Sequence, residues 1–311
     1  MVTGLDAEIA VVGLGALGSS ALWRLAVRGR DVIGIEQYRP GHPHGSTHGL
    51  TRLFRTLCFE HPGLVPVACR SLGLWRELEE ESGNELLRLS GGLMIGARDS
   101  RVVAGVLEAA RAGAQDVDVL SARRLRGTFP QHGDVRDDDV AVWDPEAGVG
   151  RPEAAVVSAV AAARARGARV VEQVGVQAVE PVDDGVRVRT SARDFVVRQA
   201  VVTPGPWLSR LVPALPMRPL RTPLTWFSPS GDPAEYELGR FPVFIRQLHD
   251  GAALWGHGST GDHGVKIGPD DDGNYHHVDP DRVDRSIGPG DYALISRLVG
   301  RVLPGLDRNA A

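Results

Sequence analysis

The chain has 311 residues and a formal net charge of -4 at pH 7, so nothing in its charge indicates a nucleic-acid partner or an anionic membrane surface. Its two cysteines, Cys58 and Cys69, are too few for a disulfide-stabilised scaffold and favour a reducing, cytoplasmic location. The sequence contains no run of about 18 apolar residues, so we predict no membrane span. The length allows one or two domains.

The strongest pattern lies between residues 8 and 36. An apolar run at 9–12 predicts a buried strand, and glycines follow it at G-x-G-x-x-G spacing. Residues 19–28 then predict a helix, and residues 32–35 predict a second strand that ends at Glu36. A strand, a glycine-rich turn, a helix and a second strand in this order are typical of a nucleotide-binding unit.

The three glycines of this pattern suit a bound dinucleotide. Gly13 permits a tight turn, Gly15 lets the backbone approach a pyrophosphate, and Gly18 lets the helix pack closely on its strand. Glu36 would accept hydrogen bonds from a ribose hydroxyl. The pattern predicts a dinucleotide site without distinguishing NAD from FAD, and the alternative is a glycine-rich turn in an ordinary α/β unit.

A loop rich in glycine and proline follows the second strand and contains three histidines, His42, His44 and His48. This loop offers no fixed ligand face, and no carboxylate or thiol joins the histidines, so we expect no metal there. Segment 270–275 matches a calcium loop only in part, because Tyr275 stands where a glycine is needed. We therefore expect no metal in the protein.

The rest of the chain alternates between predicted helices and strands. Helices are predicted at 62–82, at 102–112, from Ser121 to about 129, at 152–167 and at 291–303. Strands are predicted at 91–97, 140–143, 170–179, 186–190, 195–197, 200–202, 224–227, 242–248, 252–256 and 264–267. The sequence Asp183-Asp184-Gly185 predicts a hairpin turn, and the short strands after residue 219 have the spacing of an antiparallel sheet.

Six further motifs occur in order along the chain. They are Gly45-Ser46-Thr47-His48-Gly49 with Thr51-Arg52 and Arg55, Phe59-Glu60-His61-Pro62, Trp143-Asp144-Pro145-Glu146-Ala147-Gly148, Thr203-Pro204-Gly205-Pro206-Trp207, Gly264-Val265-Lys266-Ile267-Gly268 and Asp279-Pro280-Asp281. With the N-terminal glycine pattern, this series resembles the monomeric sarcosine oxidase, N-methyltryptophan oxidase and pipecolate oxidase family of FAD-dependent amine oxidases. The resemblance covers the whole chain and implies FAD as the cofactor.

The resemblance also implies roles for individual residues. Those implied to bind FAD are Gly13, Gly15, Gly18, Glu36, Ser46, Thr51, Arg52, Val176 and Gly205. Those implied to act in the reaction are His48, Arg52, Arg55 and Lys266. Arg55 matches the arginine that binds the substrate carboxylate, for which a forked guanidinium is suited. Lys266, the only lysine of the chain, matches the lysine that promotes the reaction with oxygen, where a fixed cation stabilises developing negative charge.

The predicted fold is α/β, with a Rossmann-like FAD-binding domain interleaved with a substrate domain built on a mixed or antiparallel sheet. We assign residues 1–85 and 151–215 to the FAD-binding domain, and residues 86–150 and 216–311 to the substrate domain. Family members continue into a segment whose cysteine is bonded to the flavin. Neither cysteine of this chain matches it, so we expect FAD to be bound non-covalently.

The resemblance implies an oxidase that acts on the C–N bond of a secondary amino acid, either N-methylated or cyclic. Oxygen would be the electron acceptor, and the products would be an imine, which hydrolyses to an aldehyde, and hydrogen peroxide. We expect a monomer whose partners are the amino acid and oxygen, with no nucleic acid and no membrane. Two alternatives remain open: a truncated, non-catalytic flavoprotein remnant and an NAD-dependent dehydrogenase.

Overall fold

The computed structural model describes residues 4–261, 263–270 and 276–309. The strands are β1 (Ala7–Val12), β2 (Val32–Ile35), β3 (Arg52–Phe54), β4 (Leu87–Leu89), β5 (Gly92–Ala97), β6 (Asp118–Ser121), β7 (Asp139–Asp144), β8 (Gly148–Gly150), β9 (Arg169–Val171), β10 (Val176–Val182), β11 (Gly185–Thr190), β12 (Phe195–Val202), β13 (Thr225–Phe227), β14 (Val243–Gln247), β15 (Ala253–His257) and β16 (Val265–Pro269). The α-helices are α1 (Ala16–Val27), α2 (Val65–Ser82), α3 (Arg101–Ala112), α4 (Ala122–Thr128), α5 (Pro152–Ala165), α6 (Leu208–Leu211) and α7 (Pro289–Val302).

A six-stranded sheet in the order β10-β11-β12-β1-β2-β9 contains the glycine-rich turn. Strand β1 pairs in parallel with β12 on one side and β2 on the other, so β1, α1 and β2 form a parallel crossover unit. Helices α1 and α5 cover one face, where Leu22 and Val160 share a core with Ile9 and Val11. The predicted Rossmann-like half of the α/β fold is confirmed.

The second large sheet has seven strands in the order β13-β16-β15-β14-β5-β7-β6. Its neighbours are antiparallel except for β14 and β5. Helix α7 packs on one face, where Val299 meets Phe244 and Ile267, and α3 packs on the other, where Val103 meets Met94. The predicted mixed sheet is confirmed.

A small three-stranded sheet has the order β3-β8-β4. Its strands belong to the segments that connect the two large sheets along the chain. Strand β3 pairs antiparallel with β8, which places Arg52 opposite Gly150. Helix α5 starts two residues later at Pro152, the position predicted from the sequence. This small sheet therefore connects the loop before β3 to the start of α5, and the site described below depends on that connection.

Two strand predictions were wrong. The apolar segment 170–179 forms two strands rather than one: β9 at one edge of the six-stranded sheet and β10 at the other. The chain breaks at Gln173, whose φ is 60°, because its N–H donates to Tyr38 O (3.0 Å) and the next N–H donates to Glu36 O (3.0 Å). Conversely, the strands predicted at 195–197 and 200–202 are a single strand, β12.

Residues 271–275, which include Tyr275 of the calcium-loop comparison, lie outside the described residues. Within the described ranges, no helix is both long enough and apolar enough to cross a membrane.

Candidate functional site

A cleft of about 1360 Å³ extends from the glycine-rich turn after β1 to β16 of the seven-stranded sheet. Ligand pockets for drug-sized molecules usually occupy about 300–1,000 Å³, so this cleft has room for a dinucleotide and a small substrate. The sequence-predicted site residues that line it are Gly13, Gly15, Glu36, Ser46, His48, Thr51, Arg52, Arg55, Val176, Gly205 and Lys266. Gly18 lies behind the lining, against Gly13.

The three glycines of the turn differ in what surrounds them. Gly13 has a φ of 82°, and a Cβ added there would lie 2.6 Å from Thr203 O. A Cβ added to Gly18 would lie 1.8 Å from Gly13 O, so α1 could not sit this close to β1. A Cβ added to Gly15 would meet only Thr47 Oγ1, at 3.3 Å. The open side of Gly15 therefore faces the cleft, and this surface fits the pyrophosphate of a dinucleotide.

Glu36 joins the end of β2 to the glycine-rich turn. Its Oε2 accepts from Leu14 N (2.7 Å), its Oε1 accepts from Tyr38 N (3.0 Å), and His42 Nε2 lies 3.4 Å from Oε1. Burial would raise the pKa of Glu36, but the contact with His42 and the two backbone N–H groups outweigh it and lower the pKa. A carboxylate accepts about four hydrogen bonds, so one further position suits a ribose hydroxyl.

Arg52 holds the loop that precedes β3. Its guanidinium donates to Ser46 O (2.8 Å), to His48 O and to Thr51 O (2.8 Å). The His48 ring turns back on the same loop, with Nδ1 2.6 Å from Gly45 O. The structure therefore brings these predicted residues together, and it shows Arg52 bonded to protein carbonyls.

The same loop contains an unusual backbone turn at Gly49 and Leu50. Both have positive φ values, 111° and 67°, and positive φ is uncommon for a residue such as Leu50. Glu153, in the first turn of α5, stabilises the turn because its Oε1 accepts from Gly49 N (2.6 Å) and Leu50 N (3.1 Å). As a result, two carbonyl groups of the loop point at Lys266.

Lys266 is 1% exposed, and its ammonium group has three oxygen acceptors. Its Nζ donates to Gly49 O (2.7 Å), Thr51 O (3.0 Å) and Thr51 Oγ1 (3.1 Å), and it lies 5.1 Å from the centroid of the Trp226 ring. The pKa of Lys266 is lowered to about 7, mainly by burial and also by nearby Arg52, while Glu153 opposes the shift. Three acceptors match an ammonium, which has three hydrogens, rather than a neutral amine with two.

Arg55 forms a forked ion pair with Glu60. The distances are 2.7 Å from Nη2 to Oε1 and 3.3 Å from Nη1 to Oε2, and the guanidinium lies 5.0 Å from the Phe59 ring centroid. The buried Asp144 carboxylate fixes the segment just after Arg55 by accepting from the N–H groups of Thr56 (3.0 Å) and Leu57 (3.1 Å). Arg55 is thus held at the cleft with its fork facing a carboxylate.

Sequence reasoning missed two residues of this site. Glu153 is 104 residues from Gly49 in the chain, and only its position after Pro152, at a helix start, was visible in the sequence. His257 lies 206 residues from Thr51, yet its Nε2 is 2.9 Å from Thr51 Oγ1. Contacts over such separations leave no local pattern.

The loop histidines considered as metal ligands have other contacts. His42 and His44 lie against the Tyr38 ring, with centroid distances of 4.7 and 4.3 Å. Among the described residues, one group has ligand atoms within 4.8 Å of one another: Asp138, Asp139 and His249. None of these three lines the cleft.

The fold and the cleft together define a dinucleotide-binding α/β enzyme. The chain belongs to the FAD-dependent oxidoreductase family, whose model matches residues 8–311. It is 32% identical to a monomeric sarcosine oxidase from Streptomyces avermitilis over 303 residues, which are 96% of this chain and 78% of that protein. It is 28% identical to an N-methyl-L-tryptophan oxidase from Escherichia coli over 301 residues, 96% of this chain and 80% of that protein.

A solved structure has the same fold. NikD, described as an unusual amino acid oxidase essential for nikkomycin biosynthesis, matches with a TM-score of 0.81 over 98% of this chain and 79% of its own, at 20% identity. The predicted family, the FAD cofactor and the oxidoreductase class are therefore confirmed.

Proposed function

We propose that this enzyme oxidises the C–N bond of a secondary amino acid, N-methylated or cyclic, to an imine and transfers the electrons to oxygen, which forms hydrogen peroxide. Bound FAD supplies the redox chemistry by accepting two electrons from the amine. The imine hydrolyses in water to an amine and a carbonyl compound. The observation that carries the proposal is one cleft whose lining includes the glycine-rich turn after β1 and two basic side chains, Arg55 and Lys266.

The substrate carboxylate would bind at Arg55. In this structure the Arg55 fork holds the Glu60 carboxylate, whose side chain is 44% exposed and can move into solvent. An amino acid carboxylate has the same shape and charge, so it can take the place of Glu60. The apolar side chains of Phe59, Ile245 and Trp255, which share one cluster and line the cleft, suit the N-alkyl part of the substrate.

Lys266 would stabilise negative charge as oxygen is reduced. Its three hydrogens are bonded to fixed protein oxygens, so its ammonium form is a positive charge held in one position. A preorganised charge in a site that excludes water needs no reorganisation during the reaction. His48 and Arg52 support this arrangement by holding the loop whose carbonyls bind Lys266.

Cofactor binding would follow the sequence predictions. The open surface at Gly15, the free acceptor position on Glu36 and the cleft-lining residues Val176 and Gly205 support FAD binding along the first sheet. We also propose that the FAD-binding domain comprises residues 1–85 and 151–215 and that the remaining residues form the substrate domain.

We further propose a monomeric, cytoplasmic enzyme. The name of the Streptomyces relative supports the monomer, and the two cysteines, both free thiols in the structure, support a reducing compartment.

Peroxide production tests the function. The protein is reconstituted with FAD and mixed in air with sarcosine, N-methyltryptophan or pipecolate, and glycine and NADH are the controls. We expect peroxide with at least one secondary amino acid at a rate at least tenfold above that with glycine. Equal rates with glycine would contradict the substrate class, oxidation of NADH alone would favour a dehydrogenase, and failure to bind FAD would favour a non-catalytic remnant.

A further inference from the structure

Three side chains on neighbouring strands form a row beside the cleft. Lys266 on β16 is directly opposite Trp226 on β13 and His257 on β15. Residues that face each other across antiparallel strands project from the same side of the sheet, and all three line the cleft. His257 is only 2% exposed, and the proposed chemistry assigns it no role.

The contacts of His257 determine which of its nitrogens bears a hydrogen. Nδ1 lies 2.7 Å from Gly258 O, and a carbonyl oxygen can only accept, so Nδ1 donates. In a neutral ring Nε2 is then an acceptor, and the group 2.9 Å away is the Thr51 hydroxyl. The hydroxyl hydrogen therefore points at His257.

This direction of the hydroxyl has a consequence for Lys266. With its hydrogen committed to His257, Thr51 Oγ1 presents lone pairs to Lys266 Nζ, 3.1 Å away. The hydrogen bonds run in one direction, from Lys266 to Thr51 to His257. A hydroxyl that turned its hydrogen toward Nζ would instead repel the ammonium.

We propose that His257 is a positioning residue that acts through Thr51: it orients the Thr51 hydroxyl so that Lys266 keeps its third acceptor and its positive charge beside the cleft. The catalytic importance of this chain of hydrogen bonds rests on the oxygen role proposed for Lys266. The hydrogen bonds themselves do not depend on that role, and they can be tested without measuring catalysis.

The charges around the chain of hydrogen bonds are compatible with this role. The pKa of His257 is lowered to about 4, mainly by burial and also by the Lys266 charge, while the hydrogen bond to Gly258 opposes the shift. His257 is thus neutral near pH 7 and remains an acceptor. The other charged groups that face Lys266 are Arg52, which disfavours its ammonium form, and Glu153, which favours it.

The single lysine makes a direct test possible. Lysine labelled with carbon-13 at Cε gives one side-chain NMR signal, and its pH titration, in FAD-free and FAD-loaded protein, reports the pKa of Lys266. We expect His257→Leu and Thr51→Val each to lower this pKa by about one unit, the size expected for one hydrogen bond to a charged group. The double variant should show no further decrease, because both changes break the same chain.

Amide substitutions separate orientation from simple packing. The amide of Gln can stand in for Nε2 and accept from Thr51, so His257→Gln should keep the pKa near the wild-type value. The shorter amide of Asn can stand in only for Nδ1, so His257→Asn should lower it, and this variant replaces His257→Leu if the latter does not fold. As the control, His132→Leu changes another buried histidine, outside the cleft lining, and should leave the Lys266 pKa unchanged.

An unchanged pKa in Thr51→Val, or in both His257→Leu and His257→Asn, would overturn the proposal, as would additive shifts in the double variant. The oxygen role of Lys266 is tested separately by the reoxidation rate of Lys266→Met. If Lys266→Met reoxidises at the wild-type rate while His257→Leu lowers the Lys266 pKa, Lys266 has no role in the reaction with oxygen, and the chain of hydrogen bonds is still supported.

Discussion

Arg55 and Lys266 use their hydrogens in different ways, and this suits them to different tasks. The Arg55 fork faces Glu60, a half-exposed side chain that can be exchanged for another carboxylate. The three hydrogens of Lys266 are bonded to Gly49 and Thr51, which the loop holds in place. An exchangeable partner suits a substrate-binding group, whereas fixed partners suit a charge that is held in one position.

Removing the Arg55 guanidinium should weaken substrate binding. We expect Arg55→Ala to raise KM for the amino acid by roughly 30- to 1,000-fold, because the loss of a charge-assisted bidentate pair costs about 2–4 kcal/mol. Steady-state kinetics at saturating oxygen measures the change. An unchanged KM would remove Arg55 from the substrate site.

Glu60→Gln is the matched variant, because it leaves Arg55 in place and removes its competing carboxylate. Since the pair is partly exposed to solvent, we expect KM to fall only by about two- to fivefold. A rise in KM would indicate that Glu60 supports the Arg55 site rather than competes with the substrate.

At the scale of elements, the unit formed by β1, the glycine-rich turn and α1 depends on close contact at Gly18. We expect Gly18→Ala to destabilise the fold by about 1–3 kcal/mol, because the added methyl group would overlap Gly13 O and force α1 away from β1. The midpoint of urea unfolding measures this loss. Gly127→Ala is the control, since Gly127 lies in α4 with nothing within 4 Å of the added Cβ; equal losses in both variants would contradict the packing argument.

Elements with local signals were predictable from the sequence, and those with long-range causes were not. The β1-turn-α1-β2 unit and the hairpin at Asp183 have their signals within a few residues. The break at Gln173 results from hydrogen bonds to Tyr38 and Glu36, which are distant in the chain. For the same reason, the glycine turn of the site was visible in the sequence, whereas the contacts of Glu153 and His257 required the structure.

At the scale of the whole molecule, the described cleft joins the two large sheets, and neither Cys58 nor Cys69 lines it. Burial also raises the pKa of Cys58, which disfavours the nucleophilic thiolate. We therefore expect FAD bound by this chain to be non-covalent. Acid precipitation of the FAD-loaded protein should leave the yellow colour in the supernatant, and colour retained in the washed pellet would contradict this expectation.

The central claim is that one cleft holds separate groups for amine oxidation and for the reaction with oxygen. Stopped-flow measurement of both half-reactions in Lys266→Met tests this claim most directly. We expect flavin reduction by the amino acid under argon to proceed as in the wild type. Reoxidation by oxygen should slow by about 10²–10³-fold, the usual effect of losing one preorganised electrostatic group, and Lys266→Arg should restore part of the rate. Reoxidation of Lys266→Met at the wild-type rate, or loss of the reductive half-reaction alone, would contradict the account.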